Sequence, residues 1–250
     1  MDFSNRTALI TGSGQGVGEG IARALASNGA NVCLVGRTLS KVEAVADDIN
    51  KAGGSAIAIQ CDVKNNDSIN SSIESTVSKF NSLNILINNA QEVPLGNILD
   101  VTDESFINGW ESGPLATFRF MKSCYPHLKG GGKIINLASS SALRPDSNSY
   151  GAYAAVKESI RSLSRAAAVE WGPDNILVNC IMPLAKSAGM DWWMNEHPDE
   201  ANEFLKTIPL GRVGDCKDDI GQAVCHILSD GMNYITGSTI MLDGGQAYLR

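Results

Sequence analysis

The sequence predicts a doubly wound α/β fold, with one parallel sheet of about seven strands and helices on both faces. Three observations predict it. Short β-branched apolar runs alternate with longer stretches of helical period, the signature of consecutive β-α-β units. The runs are almost wholly apolar, as strands covered on both faces must be. No Pro/Ser/Gly-rich tract, repeat or low-complexity segment divides the chain, so residues 1–250 read as one domain.

In order, the strand candidates are Ala8–Thr11, Asn31–Val35, Ala56–Cys61, Ile85–Asn88, Lys133–Ala138, Ile176–Ile181 and Ser238–Leu242. The helical stretches between them include Gly18–Ser27, Leu39–Lys51, Ser68–Phe80, Glu104–Leu128 and Ala152–Trp171. Right-handed crossovers through such helices wind the sheet on both sides. One segment breaks the rhythm: residues 184–210 carry Trp192, Trp193, Met190 and Met194 ahead of Pro198. It reads either as an apolar lid over a pocket or as a helix pair covering a sheet edge or a subunit contact. The acids Asp215, Asp218 and Asp219 suit a helix start, where carboxylates meet the positive end of the dipole.

Composition narrows the function classes. With 20 Lys+Arg against 27 Asp+Glu, the net charge of −7 argues against nucleic-acid binding, which needs a basic face. Hydrophobic residues are 43% and charged residues 19%, a globular balance. No apolar run approaches the roughly 18 residues of a membrane span. Met1–Arg6 is too short and polar for a secretion signal, so a cytoplasmic protein without a membrane partner is expected. Six cysteines, at 33, 61, 124, 180, 216 and 225, form no C-x-x-C pair, and His127, His197 and His226 are widely separated. Neither a disulfide framework nor a metal site is expected.

Strand one runs into Thr11-Gly12-Ser13-Gly14-Gln15-Gly16-Val17-Gly18, with a helix following. Glycines at such a turn let the backbone approach a pyrophosphate, and the helix start supplies free N–H groups. A Walker loop is excluded, because no Gly-Lys-Ser/Thr is present. The spacing that fits is T-G-x-x-x-G-x-G, which makes Gly12, Ser13, Gly16, Val17 and Gly18 candidate cofactor contacts in a Rossmann-type sheet. A glycine-rich turn without a ligand is the plainer reading. The ribose-reading residue is due at the end of strand two, where Gly36-Arg37-Thr38 stand without a carboxylate. Arg37 can pair with a 2′-phosphate, with Thr38 beside it, which favours NADP(H) over NAD(H). Arg37 is otherwise a solvated residue ahead of a helix opened by a Ser40/Glu43 capping box.

Tyr153 and Lys157 lie four apart in a helical stretch and share one face. A free tyrosine has a pKa of about 10, too high for a base at neutral pH. A nearby ammonium and an oxidised nicotinamide both favour the phenolate, so a lowered Tyr153 pKa is expected. Upstream, strand five ends in Ser139-Ser140-Ser141, at the edge where such sheets bind ligands. A hydroxyl there can hold a substrate oxygen; three serines also make an ordinary turn.

Taken together, these motifs resemble the short-chain dehydrogenase/reductase family over essentially the whole chain. Thr11-Gly12, Gly16 and Gly18 match its cofactor loop. Asp62-Val63 resembles the pair whose Asp contacts adenine, and Asn88-Asn89-Ala90 resembles its N-N-A-G, with Gln91 in place of Gly. Ser139, Tyr153 and Lys157 match its catalytic residues, and Leu242-Asp243-Gly244-Gly245 its C-terminal signature. The resemblance implies hydride exchange between nicotinamide and an alcohol or carbonyl carbon. Tyr153 would move the proton, Lys157 would hold the nicotinamide ribose, and Ser139 would position the substrate oxygen. It also implies a homo-oligomer, a tetramer or dimer. Asn89, Ala90, Asp62 and Val63 join the expected cofactor contacts on the same ground.

The chain departs from the family pattern in places. Gly113-Pro114 stands where the family carries a fourth catalytic Asn. A Gly-Pro pair there can kink the helix and free a carbonyl. The Pro-Gly after strand six is Pro183-Leu184, and the Ser139–Tyr153 interval is one residue longer than the family's common spacing, leaving Ser140 in reserve. Finer similarities, including Asn89-Ala90-Gln91, Ala116-Thr117-Phe118 and Glu170-Trp171-Gly172, are to bacterial 12α-hydroxysteroid dehydrogenases. They imply a hydroxysteroid or other bulky alicyclic alcohol or ketone. Two rivals stand beside this reading. Tyr150 lies seven residues before Lys157, the interval of enoyl-thioester reductases, and a nonenzymatic dinucleotide sensor would bind cofactor without turnover. Arg144, Asp146 and His197 are further residues that could face the substrate.

Overall fold

The computed structural model describes residues 1–143 and 149–247, the side chains of Ala188 and Gly189 excepted. Seven strands form the sheet: β1 (Thr7–Thr11), β2 (Asn31–Gly36), β3 (Ser55–Gln60), β4 (Ile85–Asn88), β5 (Lys133–Leu137), β6 (Leu177–Pro183) and β7 (Thr239–Leu242). All pairings are parallel and the order is β3-β2-β1-β4-β5-β6-β7. The order reverses direction between β1 and β4, which opens a crevice beyond their carboxyl ends.

The apolar strands are buried because both faces are covered, and alternate residues serve opposite sides. Ala8 and Ile10 of β1 face the layer holding α1 (Gly16–Ser27) and α2 (Leu39–Lys51). Leu9 faces the layer holding α3 (Asn66–Phe80). The α1 layer is completed by Val224 and Leu228, which come from a helix late in the chain. Thr38 caps α2 without a side-chain hydrogen bond, so the expected Ser40/Glu43 box is not the cap. The chain already turns helical at Leu39, and the Lys41 N–H donates to the Thr38 carbonyl at 3.2 Å.

The stretch expected as one helix over Glu104–Leu128 is instead three pieces. These are α4 (Asp103–Trp110), a wide π turn (Glu111–Leu115) and α5 (Ala116–Leu128). Pro114 explains the break: it has no N–H for the carbonyl four residues back. The hydrogen bonds slip one residue, and the Ala116 N–H reaches the Glu111 carbonyl, five residues away. The long α6 (Gly151–Trp171) packs against this turn and against β6.

The segment before the last strand forms a helix pair, α7 (Ala188–Glu196) and α8 (Pro198–Lys206). Trp193 meets Phe204 edge-on, ring centroids 5.7 Å apart, and this ties the pair together. Asp215 accepts the N–H groups of Lys217 (2.8 Å) and Asp218 (2.7 Å), so the acids do open a helical segment. It begins as a second wide turn (Cys216–Gly221) and continues as α9 (Gln222–Leu228).

Beneath the carboxyl edge runs a buried polar line. Asn88 Nδ2 donates to Asn136 Oδ1 at 2.8 Å, and Asn136 Nδ2 donates to Ser164 Oγ at 2.8 Å. Asn88 and Asn136 are register partners, so the line joins β4 to β5 and then to α6. Buried amides of this kind fix strand register because a slip leaves them unpaired.

Helix α1 approaches the Cys216–Gly221 turn so closely that a Cβ on Gly20 would lie 2.2 Å from the Cys216 carbonyl oxygen. The obstacle is backbone, which cannot step aside. Gly20→Ala is therefore expected to cost about 1–3 kcal/mol, read as a lower urea midpoint at unchanged slope. Gly172→Ala is the control: its φ is −54° and nothing lies within 4 Å, so its midpoint should hold or rise slightly.

Candidate active site

The crevice between β1 and β4 is a cleft of about 380 Å³ lined by the glycine loop, the β2 end and the β4 loop. Its floor is clasped by Thr11. The Thr11 Oγ1 accepts the N–H groups of Asn89 (2.9 Å) and Ala90 (3.0 Å), while Asn89 Nδ2 donates to the Thr11 and Gly12 carbonyls. Gly12 has φ +64°, and a Cβ there would sit 2.9 Å from the Ala90 Cα. Gly18 is required for packing: its Cβ would meet the Gly12 carbonyl oxygen at 2.5 Å. Gly16 is different. It has φ +59° and, among the described residues, nothing within 4 Å of an added Cβ, so the first turn of α1 opens onto the cleft. A helix start with unobstructed N–H groups fits a pyrophosphate.

Of the residues expected here, Gly12, Gly16, Val17, Arg37, Thr38, Val63, Asn89 and Ala90 line the cleft. Ser13 does not: it is fully buried and its hydroxyl donates to the Ile10 carbonyl at 3.0 Å, facing the protein interior. Asn89 has its amide committed to the glycine loop, so its side chain shapes the cleft rather than lining it with a free donor. Asp62 Oδ1 accepts the Lys64 N–H at 3.0 Å and steadies the turn after β3.

The end of the cleft beside β2 carries more charge than the sequence suggested. Arg37 Nη1 lies 2.5 Å from Glu92 Oε1, and Lys64 Nζ lies 3.2 Å from the same oxygen. Lys41, on the first turn of α2, also lines the cleft and donates to Gln15 Oε1 at 2.8 Å. Sequence reasoning misses Lys41 because Arg37 precedes the helix, so no helical spacing links the two. Glu92 comes from the β4 loop, and no local pattern links it to Arg37.

Tyr153 and Lys157 stand on one face of α6, with the Lys157 Nζ 5.6 Å from the Tyr153 ring centroid. The ammonium is buried and donates to the Leu137 carbonyl at 2.8 Å, at the end of β5. Desolvation pulls its pKa down to about 8. Tyr153 in the protein alone shifts upward. Burial pushes its phenol up to about 12, offset in part by a hydrogen bond with Ser139. Burial is the largest cause of that rise. Ser139 is the serine that reaches Tyr153. Its Oγ also accepts the Ser141 N–H at 3.2 Å. Tyr150 packs edge-on against Tyr153, with centroids 6.1 Å apart.

Two departures from the family pattern meet in space. A Cβ at Gly113 would lie 2.3 Å from Gln91 Oε1, so the Gln91 carboxamide occupies the place of a side chain at 113. Its Nε2 donates to the carbonyls of Gly109 (2.8 Å) and Glu92 (2.6 Å), bracing the π turn from the β4 side. Its Oε1 is buried and has no hydrogen-bond partner among the described residues.

In the helix pair, Trp192 is 63% exposed and meets His197 edge-on at 6.5 Å. Arg144 and Asp146 lie outside the described residues. Among the described residues no three His, Cys, Asp or Glu side chains gather as a metal site, and no helix is long and apolar enough to cross a membrane.

Comparison with known proteins agrees with this geometry. Residues 12–247 match the family model described as enoyl-(acyl carrier protein) reductase. A 12α-hydroxysteroid dehydrogenase from a Clostridium species is 37% identical over 252 residues, covering 97% of both chains. A 3-oxoacyl-[acyl-carrier-protein] reductase from Chlamydia trachomatis is 32% identical over 97% of this chain and 98% of its own. A short-chain dehydrogenase from Burkholderia cenocepacia, solved in complex with NADP, superposes with a TM-score of 0.90 at 26% identity, covering 98% of this chain and 99% of that one. The fold, the cleft and these relatives define an oxidoreductase built on a Rossmann-type sheet. The chain belongs to the short-chain dehydrogenase/reductase family.

The Gln91–Gly113 contact predicts an asymmetric pair of variants. Gly113→Asn alone forces two amides into one space and should cost about 1–3 kcal/mol, lowering Tm by several degrees. Adding Gln91→Gly removes the obstruction, and the double variant should recover most of the loss in a thermal melt.

Proposed function

We propose that this enzyme is an NADP(H)-dependent ketoreductase and secondary-alcohol dehydrogenase acting on bulky alicyclic substrates, hydroxysteroids foremost. The observation that carries the reading is the assembly of Ser139, Tyr153 and Lys157 at the carboxyl end of β5, the strand next to β4, whose loop walls a cleft with a helix start that suits a pyrophosphate. When bound, the nicotinamide supplies or receives the hydride at the carbon of the carbonyl or alcohol. The Ser139 hydroxyl donates to the substrate oxygen and fixes its position beside Tyr153. In reduction the Tyr153 O–H passes its proton to that oxygen as the carbon becomes tetrahedral. In oxidation the phenolate takes the proton back. Lys157, within reach of both the ring and the β5 edge, holds a positive charge that stabilises the phenolate left behind.

Arg37 and Lys41 support a phosphorylated cofactor, since both cations face the adenosine end. The steroid assignment draws on the 37% identical 12α-hydroxysteroid dehydrogenase and on Trp192 and Trp193 in the helix pair over residues 184–210, which we read as a substrate lid. Phe106, Ile107, Trp110 and Phe118 leave an apolar face exposed on α4 and α5, and Val169 does so on α6. These surfaces support a homo-oligomer. Six free thiols, five of them buried, suit a reducing cytoplasm.

Tyr150 keeps enoyl reduction as the second reading, through its contact with Tyr153 and the description of the matched family model. Paired variants separate the two. Tyr153→Phe should lower ketone reduction by about 10²–10⁴-fold in an NADPH absorbance assay with oxosteroids, with cofactor affinity retained. Loss confined to Tyr150→Phe, with turnover of an enoyl thioester, would favour C=C reduction. Binding of cofactor with no turnover on either panel would mark a sensor.

The pH profile follows from the same groups. The Tyr153 proton donor, at about 12, stays protonated through the working range. Lys157, at about 8, is charged below that pH and neutral above it. The kcat/KM for ketone reduction is therefore expected to fall as pH rises through about 8, reporting the lysine in the free enzyme. Lys157→Arg should remove that limb, because guanidinium stays charged.

A further inference from the structure

We infer that Glu92 is a cofactor-discriminating residue: its carboxylate is the counter-ion that Arg37 must release when a 2′-phosphate enters the cleft, and Lys64 retains it after the exchange. This rests on the dinucleotide reading above and concerns which dinucleotide is held, and how tightly.

The geometry is that of a strap across the adenosine end. Arg37 follows β2 and Glu92 follows β4, the strands on either side of β1, and both line the same cleft. Their 2.5 Å contact spans the gap between the two loops. Both backbones are fixed. The Glu92 N–H donates to Ser112 Oγ at 2.9 Å, and its carbonyl accepts from Gln91 at 2.6 Å. The Arg37 carbonyl accepts from Gln60 Nε2 at 3.0 Å. Only the side chains are free to exchange partners.

Electrostatics then sets the direction. A 2′-phosphate is a stronger acceptor for a guanidinium than a carboxylate, and it takes a bidentate pair. Glu92 and the phosphate are both anionic, so they cannot share Arg37 without repulsion. Glu92 has a second cation waiting, since Lys64 Nζ lies 3.2 Å from the same carboxylate oxygen. Lys64 is itself anchored by Asn108 Oδ1 at 3.0 Å. Arg37 can leave without stranding the acid. An unphosphorylated cofactor has no group to displace Glu92 and leaves the strap closed. Glu92 therefore lowers affinity for NADP⁺ selectively and narrows the gap between the two cofactors.

The test is equilibrium binding to the full-length protein, followed by calorimetry with NADP⁺ and NAD⁺ separately and needing no turnover. Glu92→Gln should tighten NADP⁺ by about three- to tenfold and leave NAD⁺ within about twofold. The gain should shrink in high salt. It should vanish when Arg37→Gln is already present, which isolates the pair. An unchanged NADP⁺ constant overturns the inference. So does a gain that persists without Arg37, or a weakened NAD⁺ constant, which would make Glu92 a ribose acceptor. If the wild-type protein binds neither dinucleotide, the cofactor reading fails before Glu92 is tested. Normal binding without coupling fails Glu92 alone.

Discussion

One threonine hydroxyl sets the geometry on which the site depends. Thr11 Oγ1 accepts two backbone N–H groups from the β4 loop, at the point where the chain connections on either side of β1 part company. A parallel sheet with this strand order must open there, because successive crossovers lead away in opposite directions. Without a tie, the two loops would be free to separate or collapse. With it, the glycine loop, Asn89 and Ala90 form one rigid rim, and the first turn of α1 faces an opening of fixed width. The glycines at 12 and 18 follow from that closeness, since neither position has room for a Cβ.

The Tyr153–Lys157 pair depends on a different constraint, the desolvation of Lys157. A buried ammonium with one carbonyl partner at 2.8 Å is held in a costly state. That cost draws its pKa down, and the surrounding apolar packing raises that of Tyr153. The protein alone therefore stores a neutral phenol beside a cation that gives up its charge readily. A phenol with a raised pKa holds its proton more tightly, so added positive charge at the site would ease its release and stabilise the phenolate. The polar line from Asn88 through Asn136 to Ser164 supports this arrangement from below. It locks the edge of β5 that carries Ser139 against the helix that carries Tyr153 and Lys157.

Much of this was legible in the sequence, and the limits have physical causes. The seven strands could be read because burial on both faces leaves an uninterrupted apolar run. Tyr153 and Lys157 could be paired because a helix puts fourth neighbours on one face. Contacts between distant segments were out of reach. Nothing near Arg37 announces Glu92, and nothing in Ser13 says that its hydroxyl turns toward Ile10. Pro114 was visible as a helix breaker, yet the helix continues through it by widening one turn. The upward shift of Tyr153 in the protein alone comes from burial, which spacing along a helix does not report.

The crossing of Gln91 and Gly113 bears on how such a protein can change over time. Each residue is tolerated because of the other: a glutamine reaches across only where its neighbour has no side chain, and the bare position is braced only while the glutamine is there. A lineage leaving this arrangement must pass through either a collision or a hole. The two positions are thus interdependent, and a change at either is tolerated only with a matching change at the other.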